Sequence, residues 1–250
     1  MTLDLTFYLL AIPAVMIAGI SKGGFGSGAA FVAAPILALV VPPAMAVGLI
    51  LPLLMLIDVF TLKPYWGQWP KRESWLLILG GLPGVALGAL FWRSADPDVL
   101  RFLIGFIAVG FVAFVFARSR GLVPTPKRPA GTVFGLIAGC GAGFTSFISH
   151  AGGPPAAIYL LSRGLSKTAY QATTVVVFWV INAAKAVPYA FLGMFTVESL
   201  WAGLTLAPAA LIGAWIGVKA HRAIPEVLFF GVTYTLLICT GCKLIFDSLS

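Results

Sequence analysis

Two glycine-rich stretches interrupt otherwise apolar sequence and carry the residues best suited to bind an anion. The first stretch separates the apolar runs 5–20 and 27–41 and reads Ser21-Lys22-Gly23-Gly24-Phe25-Gly26-Ser27-Gly28. A lysine at bilayer depth costs about 3 kcal/mol or more, so it is tolerated where it lines a cavity or is packed in protein. A helix beginning near Ala29 would add free N–H groups beside Lys22. The stretch therefore predicts an anion site formed by Ser21, Lys22, Gly23, Gly24, Gly26 and Ser27.

The second stretch covers residues 139–155 and resembles the first in its glycine content. Gly152 and Gly153 permit a tight reversal of the chain, and the two prolines that follow fit the first turn of a helix. Ser149 and His150 are its polar residues at positions that correspond, within a residue or two, to the first stretch. If both stretches meet near the membrane midplane, the field there is positive and suits an anion with several acceptor oxygens. Ser149, His150, Gly152 and Gly153 complete the predicted site.

Composition places the whole chain in a membrane. Of its 250 residues 60% are apolar and only 10% are charged, and the mean hydropathy is +1.02. This predicts an all-α polytopic membrane protein that contacts the lipid bilayer. The net charge of +8 does not indicate nucleic-acid binding, because the basic residues lie mainly in short loops between apolar runs. We expect no cofactor and no metal site, and we interpret the Cys239–Cys242 spacing as one turn of an apolar helix.

Ten apolar runs organise the chain. Their bounds are 5–20, 27–41, 44–62, 75–92, 98–117, 131–147, 154–162, 168–192, 198–218 and 225–246. A helix needs about 20 residues to cross a bilayer, and the run 154–162 is too short for that. We therefore expect a re-entrant pair around each glycine-rich stretch, followed by three spanning helices in each half.

The two halves of the sequence correspond at a nearly constant offset. A shift of 124 residues pairs Gly28 with Gly152, Asp58 with Asn182, Pro64 with Pro188 and Tyr65 with Tyr189, and the shift grows to 125 and 128 further along. This predicts a first repeat over 1–122 and a second over 129–250 within one membrane unit. Five runs is an odd number, so the second repeat enters from the opposite side and is inverted, as in secondary transporters.

The distribution of basic residues predicts the orientation. One side receives eleven of them, namely Lys63, Lys71, Arg72, Arg118, Arg120, Lys127, Arg128, Arg163, Lys167, Lys219 and Arg222. The other side holds both termini and only Arg93. By the positive-inside rule the first side is cytoplasmic, and both termini are periplasmic in a bacterial inner membrane.

Several intramembrane polar residues have two interpretations. Lys22 contacts the substrate anion, or it snorkels or pairs with an acid such as Asp58. His150 contacts the anion or carries a proton, or it is a hydrogen-bonded core histidine. Asp58, Asn182, Gln171 and Lys185 are candidates for coupling or gating. For Lys185, which lies about seven residues from the end of its run, snorkelling is the alternative.

The two glycine-rich stretches and their duplication resemble the sulfite exporter TauE/SafE family of permeases, of the four-toluene-sulfonate uptake permease type. The resemblance covers essentially the whole chain and rests on residues 21–28, Pro35 and the stretch 139–155. It implies membrane transport of sulfite, sulfonates or related small oxyanions. The second stretch carries a proline-rich form of the family's glycine cluster, His150-Ala151-Gly152-Gly153-Pro154-Pro155.

These observations favour a secondary transporter of a small sulfur-containing anion that works by alternating access. The family resemblance implies export, whereas the residues themselves leave the direction of transport open. Proton coupling and a homodimer stay open. The alternatives are an anion channel with the same chemistry, and an intramembrane hydrolase that uses Ser146 or Ser149. Neighbouring residues rarely form a nucleophile–base pair, so the hydrolase needs His221 or another distant base in place of His150. We therefore expect that the chain is not an enzyme.

Overall fold

The described residues form ten α-helices, and the positions of these helices follow the apolar runs. The computed structural model describes residues 4–25, 30–122, 131–220 and 226–249, and only the backbone of 226–229. The helices are α1 Leu5–Ile20, α2 Ala33–Leu37, α3 Pro43–Leu62, α4 Lys71–Ser94, α5 Pro97–Ser119, α6 Thr132–Ser149, α7 Gly153–Ser162, α8 Lys167–Phe191, α9 Val197–Ala220 and α10 Glu226–Leu249. Gly26 and Ser27 of the predicted site lie outside the described residues.

Eight of the described segments are long and apolar enough to cross a membrane. Of the two that are not, α2 with five residues follows the first glycine-rich stretch, and α7 with ten residues begins at the end of the second. Proline residues begin several helices, and Pro154 and Pro155 occupy the first turn of α7, where a missing N–H leaves no bond unmade. The all-α polytopic membrane fold predicted from composition is confirmed.

The packing of the helices repeats itself between the two halves. α4 packs along α6 as α9 packs along α1, and α4 contacts α8 as α9 contacts α3. Two further pairs, α3 with α8 and α5 with α10, join helices at the same position in each half. A two-fold relation between residues before and after the 119–132 connection produces this pattern. It supports the predicted repeats, whose bounds stay a prediction.

Glycines allow the two long helix pairs to approach at backbone distance. A Cβ atom at Gly84 of α4 would lie 2.1 Å from the carbonyl oxygen of Cys140 in α6, and one at Gly143 would lie 2.1 Å from that of Gly81. In the corresponding pair, a Cβ at Gly217 of α9 would lie 2.3 Å from the carbonyl oxygen of Ile20. Small residues at such interfaces are the usual way in which membrane helices pack closely.

We expect Gly84→Ala to destabilise the protein by about 1–3 kcal/mol, because the added methyl group meets backbone that cannot rotate away. Gly110→Ala in α5 is the matched control: its Cβ would meet nothing within 4 Å, so the change is neutral or slightly stabilising. Thermal unfolding of the two purified variants measures the difference. Equal midpoints would show that α4 and α6 are not in backbone contact.

The ends of the helices agree with the predicted grouping of loops. Arg163, just after α7, forms an ion pair with Glu73 at the start of α4, with 3.1 Å between Nη2 and Oε1. Both residues belong to the end that is rich in basic residues. At the opposite end, Arg101 of α5 and Asp247 of α10 line one shared surface pocket. Two loops predicted to share the basic side, 63–74 and 163–167, therefore lie together.

A candidate anion site between the two breaks

The first glycine-rich stretch, or first break, continues α1 instead of ending it. After Ile20 the chain forms a π-helical turn over Ser21–Phe25, and all five of its residues are buried. Such turns inside helices are frequent at functional sites. The chain then forms a 3₁₀ turn at Ala30–Val32 and the short helix α2. The N–H groups of residues 26–29, which the predicted helix terminus would supply, lie outside the described residues.

Lys22 projects from this π-helical turn into a buried pair with Asp58 of α3. Its Nζ lies 2.5 Å from Asp58 Oδ1, and the two side chains are 3% and 0% exposed. The other carboxylate oxygen, Oδ2, accepts a hydrogen bond of 2.7 Å from Asn182 Nδ2 of α8. Asp58 is therefore the acid partner of Lys22, which was one of the interpretations that the sequence allowed. Asp58 and Asn182, which correspond at the shift of 124, meet directly where α3 crosses α8.

Two tyrosines anchor the breaks in the same way. Tyr65 donates a hydrogen bond of 2.8 Å to the carbonyl oxygen of Gly23, and Tyr189 donates one of 2.6 Å to that of Phe147. Gly23 and Phe147 are 124 residues apart, as are Tyr65 and Tyr189. The same bond thus occurs at equivalent positions of both halves. Burial raises the pKa of Tyr65 to about 12, so its hydroxyl stays a donor at ordinary pH.

We expect Tyr65→Phe and Tyr189→Phe to destabilise the protein by similar amounts, about 1–2 kcal/mol each, because each leaves one buried carbonyl without its donor. The difference in the free energy of unfolding between Tyr65→Phe and the unchanged protein should stay constant from about pH 6 to about pH 9, because tyrosine ionises above this range. Unfolding curves of both variants in detergent test this. A tenfold disparity between the two unfolding constants would contradict the equivalence of the two bonds.

The second break turns at His150 and not at the glycines. His150 ends α6 in the left-handed conformation, with φ of 58°, whereas Gly152 has φ of −73°. A non-glycine residue held there costs on the order of 1 kcal/mol, and such residues cluster at functional sites as well as at helix ends. Gly152 is needed for a different reason: a Cβ on it would lie 2.5 Å from the ring of Phe178. The expectation that the glycines make the reversal is wrong in this respect.

His150 reaches from the second break to both neighbouring helices. Its Nε2 lies 3.0 Å from the carbonyl oxygen of Val47 in α3, and its Nδ1 lies 2.9 Å from Lys185 Nζ in α8. Lys185 also bonds the carbonyl oxygen and the hydroxyl of Ser146, at 3.0 and 2.9 Å. Lys185 is 0% exposed. It does not snorkel to the membrane surface, which corrects the alternative given for it.

Two buried groups of polar contacts lie one helical turn apart along α8, and together they are called the buried polar chain. One joins Lys22, Asp58 and Asn182, and the other joins Lys185 to His150. Phe178 lies between the breaks, since its ring centroid is 5.9 Å from Lys22 Nζ and its edge faces Gly152. The two interrupted segments therefore meet inside the bundle, as expected from the sequence.

A cavity lies beside the first break. It has a volume of about 520 Å³, and its lining includes Arg118 and Lys167 as well as Gln171 and Gly24. Gln171 Nε2 donates a hydrogen bond of 2.5 Å to the carbonyl oxygen of Lys22, and its Oε1 has no hydrogen-bond partner among the described residues. The basic groups in its lining raise the local concentration of anions. An anion entering here comes within reach of the first break.

The remaining predicted site residues pack inside the bundle. Gly23 and Gly24 face the backbone of α9, where added Cβ atoms would lie 2.3 and 2.2 Å from carbonyl oxygens. Ser149 and Gly153 are buried at the second break. Their side chains or Cα atoms thus contribute to packing, and contact of their backbone N–H groups with substrate stays a prediction.

Sequence reasoning did not assign three participants of the site. The carbonyl oxygen of Val47 and the ring of Phe178 carry no sequence signal, because backbone acceptors and core aromatics look alike in every apolar run. Ser146 was predicted only as a hydrolase nucleophile, and in the structure its hydroxyl bonds Lys185, 2.9 Å away. Its offset of 124 from Lys22 could have indicated a role in the site.

A family model described as sulfite exporter TauE/SafE matches residues 11–244, which include both breaks and every residue of the buried polar chain. No curated protein and no solved structure matches the chain.

Proposed function

The chain belongs to the sulfite exporter TauE/SafE family, and from this premise we propose that it is a secondary transporter that exports a small sulfur-containing anion, such as sulfite or an organosulfonate. The observation that carries the proposal is the buried polar chain between the two breaks, which holds two lysines, Lys22 and Lys185, but one carboxylate, Asp58. Buried charges are normally paired. An anion supplies the missing negative charge.

Lys22 and Ser21 are the proposed substrate contacts, together with backbone N–H groups of the two breaks, because both ring nitrogens of His150 already have partners in Val47 and Lys185. An anion that enters from the cavity reaches Lys22 where Gln171 already bonds its backbone. It competes there with Asp58 for the ammonium group. Asp58 and Asn182 join the halves at the crossing of α3 and α8, and in this proposal they change partners when the halves move.

An asymmetry between equivalent helices supports alternating access. α2 packs on α10, whereas the cavity lies between the corresponding helices α7 and α5. The cavity is lined by Arg118 and Lys167, which lie at the end that the positive-inside rule assigns to the cytoplasm. We therefore propose that this is the inward-open state, in an inner membrane with both termini periplasmic and the repeats inverted. In the outward-open state the arrangement is reversed, so that α7 packs on α5 and the cavity lies between α2 and α10.

Flux into proteoliposomes tests the transport proposal. Vesicles containing the purified protein are offered labelled sulfite, thiosulfate, sulfoacetate, taurine and sulfate in turn. We expect at least one sulfur anion to enter with saturation and to exchange for unlabelled anion inside, which argues against a channel. If no anion of the panel enters faster than into protein-free vesicles, the transport proposal fails.

The matched control for this assay removes the ion pair without leaving a buried charge. The double variant Lys22→Met with Asp58→Leu keeps an apolar pair of similar volume, and such replacements are often neutral for stability. We expect it to fold and to lose about 100-fold or more of the flux, equivalent to about 2.7 kcal/mol. Normal flux through this variant would remove Lys22 from the site. Gly110→Ala serves as the variant with unchanged flux.

A further inference from the structure

The amino group of Lys185 is fully buried among neutral hydrogen-bond partners. Its three contacts are the carbonyl oxygen of Ser146 at 3.0 Å, the hydroxyl of Ser146 at 2.9 Å and His150 Nδ1 at 2.9 Å. Among the described residues no carboxylate forms an ion pair with it. A buried ammonium without a counter-charge is costly, so an amine there tends to lose its proton or to gain an anion.

The ionisable groups around Lys185 do not supply that counter-charge. Asp58 on α3 is already paired with Lys22 of the π-helical turn, so the two together are neutral. On α8 itself, the ring of Tyr189 lies 5.9 Å from Lys185 Nζ. At the end of α6, His150 contacts Lys185 as a neutral hydrogen-bond partner. α7 carries no charged side chain, and the charged residues of α4 lie at its two ends: Lys71, Arg72, Glu73 and Arg93.

The hydrogen atoms at His150 can be assigned from its partners. The carbonyl oxygen of Val47 only accepts, so Nε2, which lies 3.0 Å from it, carries the hydrogen. A neutral imidazole then has a lone pair on Nδ1, and this nitrogen accepts from Lys185. The carbonyl oxygen of Ser146 also only accepts. Two hydrogens of the Lys185 amino group are therefore committed to acceptors in either protonation state.

The hydroxyl of Ser146 is the group that distinguishes the two states. Beside a neutral amine it donates its hydrogen to the lone pair of Nζ. Beside an ammonium group it accepts the third N–H of Lys185, and its own hydrogen has no other partner among the described residues. That hydrogen is then free to bond an anion, and the ammonium group supplies the opposite charge. Protonation of Lys185 and anion binding therefore favour each other, as linked equilibria must.

We propose that Lys185 carries a proton through the transport cycle and that Ser146 couples this proton to the anion. This deepens the transport function proposed above and rests on it. In the inward-open state Lys185 takes up one proton from the cytoplasmic side while the anion binds. After the halves exchange their packing, the anion leaves outward, the amine loses its proton to the same side, and the Ser146 hydroxyl again donates to Nζ. One proton and one anion move together.

Nuclear magnetic resonance of lysine side chains tests the first half of the cycle without a flux assay. Protein labelled with ¹⁵N at the lysine amino groups is purified in detergent, and the Lys185 signal is assigned by its loss in Lys185→Arg. Near neutral pH we expect an amine signal in the anion-free protein that becomes an ammonium signal when thiosulfate or sulfite is added. An ammonium signal before addition, or an amine that neither anion converts, overturns the proposal.

Proton movement in proteoliposomes tests the second half. Thiosulfate is the probe, because it stays fully ionised near neutral pH and cannot itself carry the proton, and a trapped pH dye reports protons. We expect thiosulfate entry to acidify the vesicle interior in the unchanged protein. In Lys185→Gln, which keeps hydrogen-bonding capacity but cannot titrate, protons moved per thiosulfate should fall about tenfold or more.

Two further variants separate this idea from the transport proposal. Ser146→Ala keeps the lysine but removes the connecting hydroxyl, and we expect it also to lower the protons moved per anion. Gly110→Ala should leave the ratio unchanged. An unchanged ratio in both Lys185→Gln and Ser146→Ala overturns the coupling but leaves the transport proposal standing, whereas absence of all flux from the unchanged protein refutes transport itself. If Lys185→Gln does not fold, Ser146→Ala and the resonance measurement decide.

Discussion

Asp58→Asn is expected to lower the free energy of unfolding by about 4 kcal/mol near neutral pH, because it leaves the buried ammonium of Lys22 without its partner. The loss has an upper bound. Lys22 can release its proton instead of remaining charged, and below an ordinary lysine pKa of about 10.4 this costs about 1.4 kcal/mol per pH unit, or roughly 4–5 kcal/mol at pH 7.

The same reasoning gives the pH dependence of Asp58→Asn. Its folded state holds Lys22 as a neutral amine while the unfolded state binds the proton, so the unfolded state carries more protons. Stability therefore rises as the pH rises, by up to about 1.4 kcal/mol per unit up to the ordinary lysine pKa. Unfolding curves of the variant and the unchanged protein at a series of pH values measure the difference. A deficit that does not shrink toward alkaline pH would show that Lys22 has found another counter-charge.

Lys22→Met is expected to cost a similar amount, about 4 kcal/mol near neutral pH, with the opposite pH dependence. The unpaired carboxylate of Asp58 keeps only its hydrogen bond from Asn182. Taking up a proton costs about 1.4 kcal/mol for each pH unit above the ordinary Asp pKa of about 3.9. Here the folded state binds more protons than the unfolded state, so stability falls as the pH rises and recovers toward acid.

The two single variants and their double variant form a closed test. Lys22→Met with Asp58→Leu removes both charges, so we expect most of the lost stability to return and the pH dependence to disappear. Unfolding of all three proteins under the same detergent conditions gives the coupling energy. Losses that simply add in the double variant would mean that Lys22 and Asp58 do not depend on one another, contrary to the 2.5 Å contact.

The membrane class, the helix positions and the family follow from sequence alone. Apolar runs of fixed length are a local, one-dimensional signal, and each of the ten runs became one helix. The match to the TauE/SafE family confirms the resemblance that rested on the two glycine-rich stretches. The offset of 124 residues also located real partners: Asp58 and Asn182 bond each other, and Tyr65 and Tyr189 make equivalent bonds.

Which polar groups bond each other was decided by tertiary structure. Sequence placed Lys185 within reach of the membrane surface, but packing of α8 against α6 and α3 turns its amino group toward Ser146 and His150. Carbonyl partners such as that of Val47 are invisible in sequence, since every residue carries one. Hydropathy indicates how far a residue lies from the membrane surface, measured along the helix axis. The direction of its side chain depends on which helices cross there, and those helices are distant in the chain.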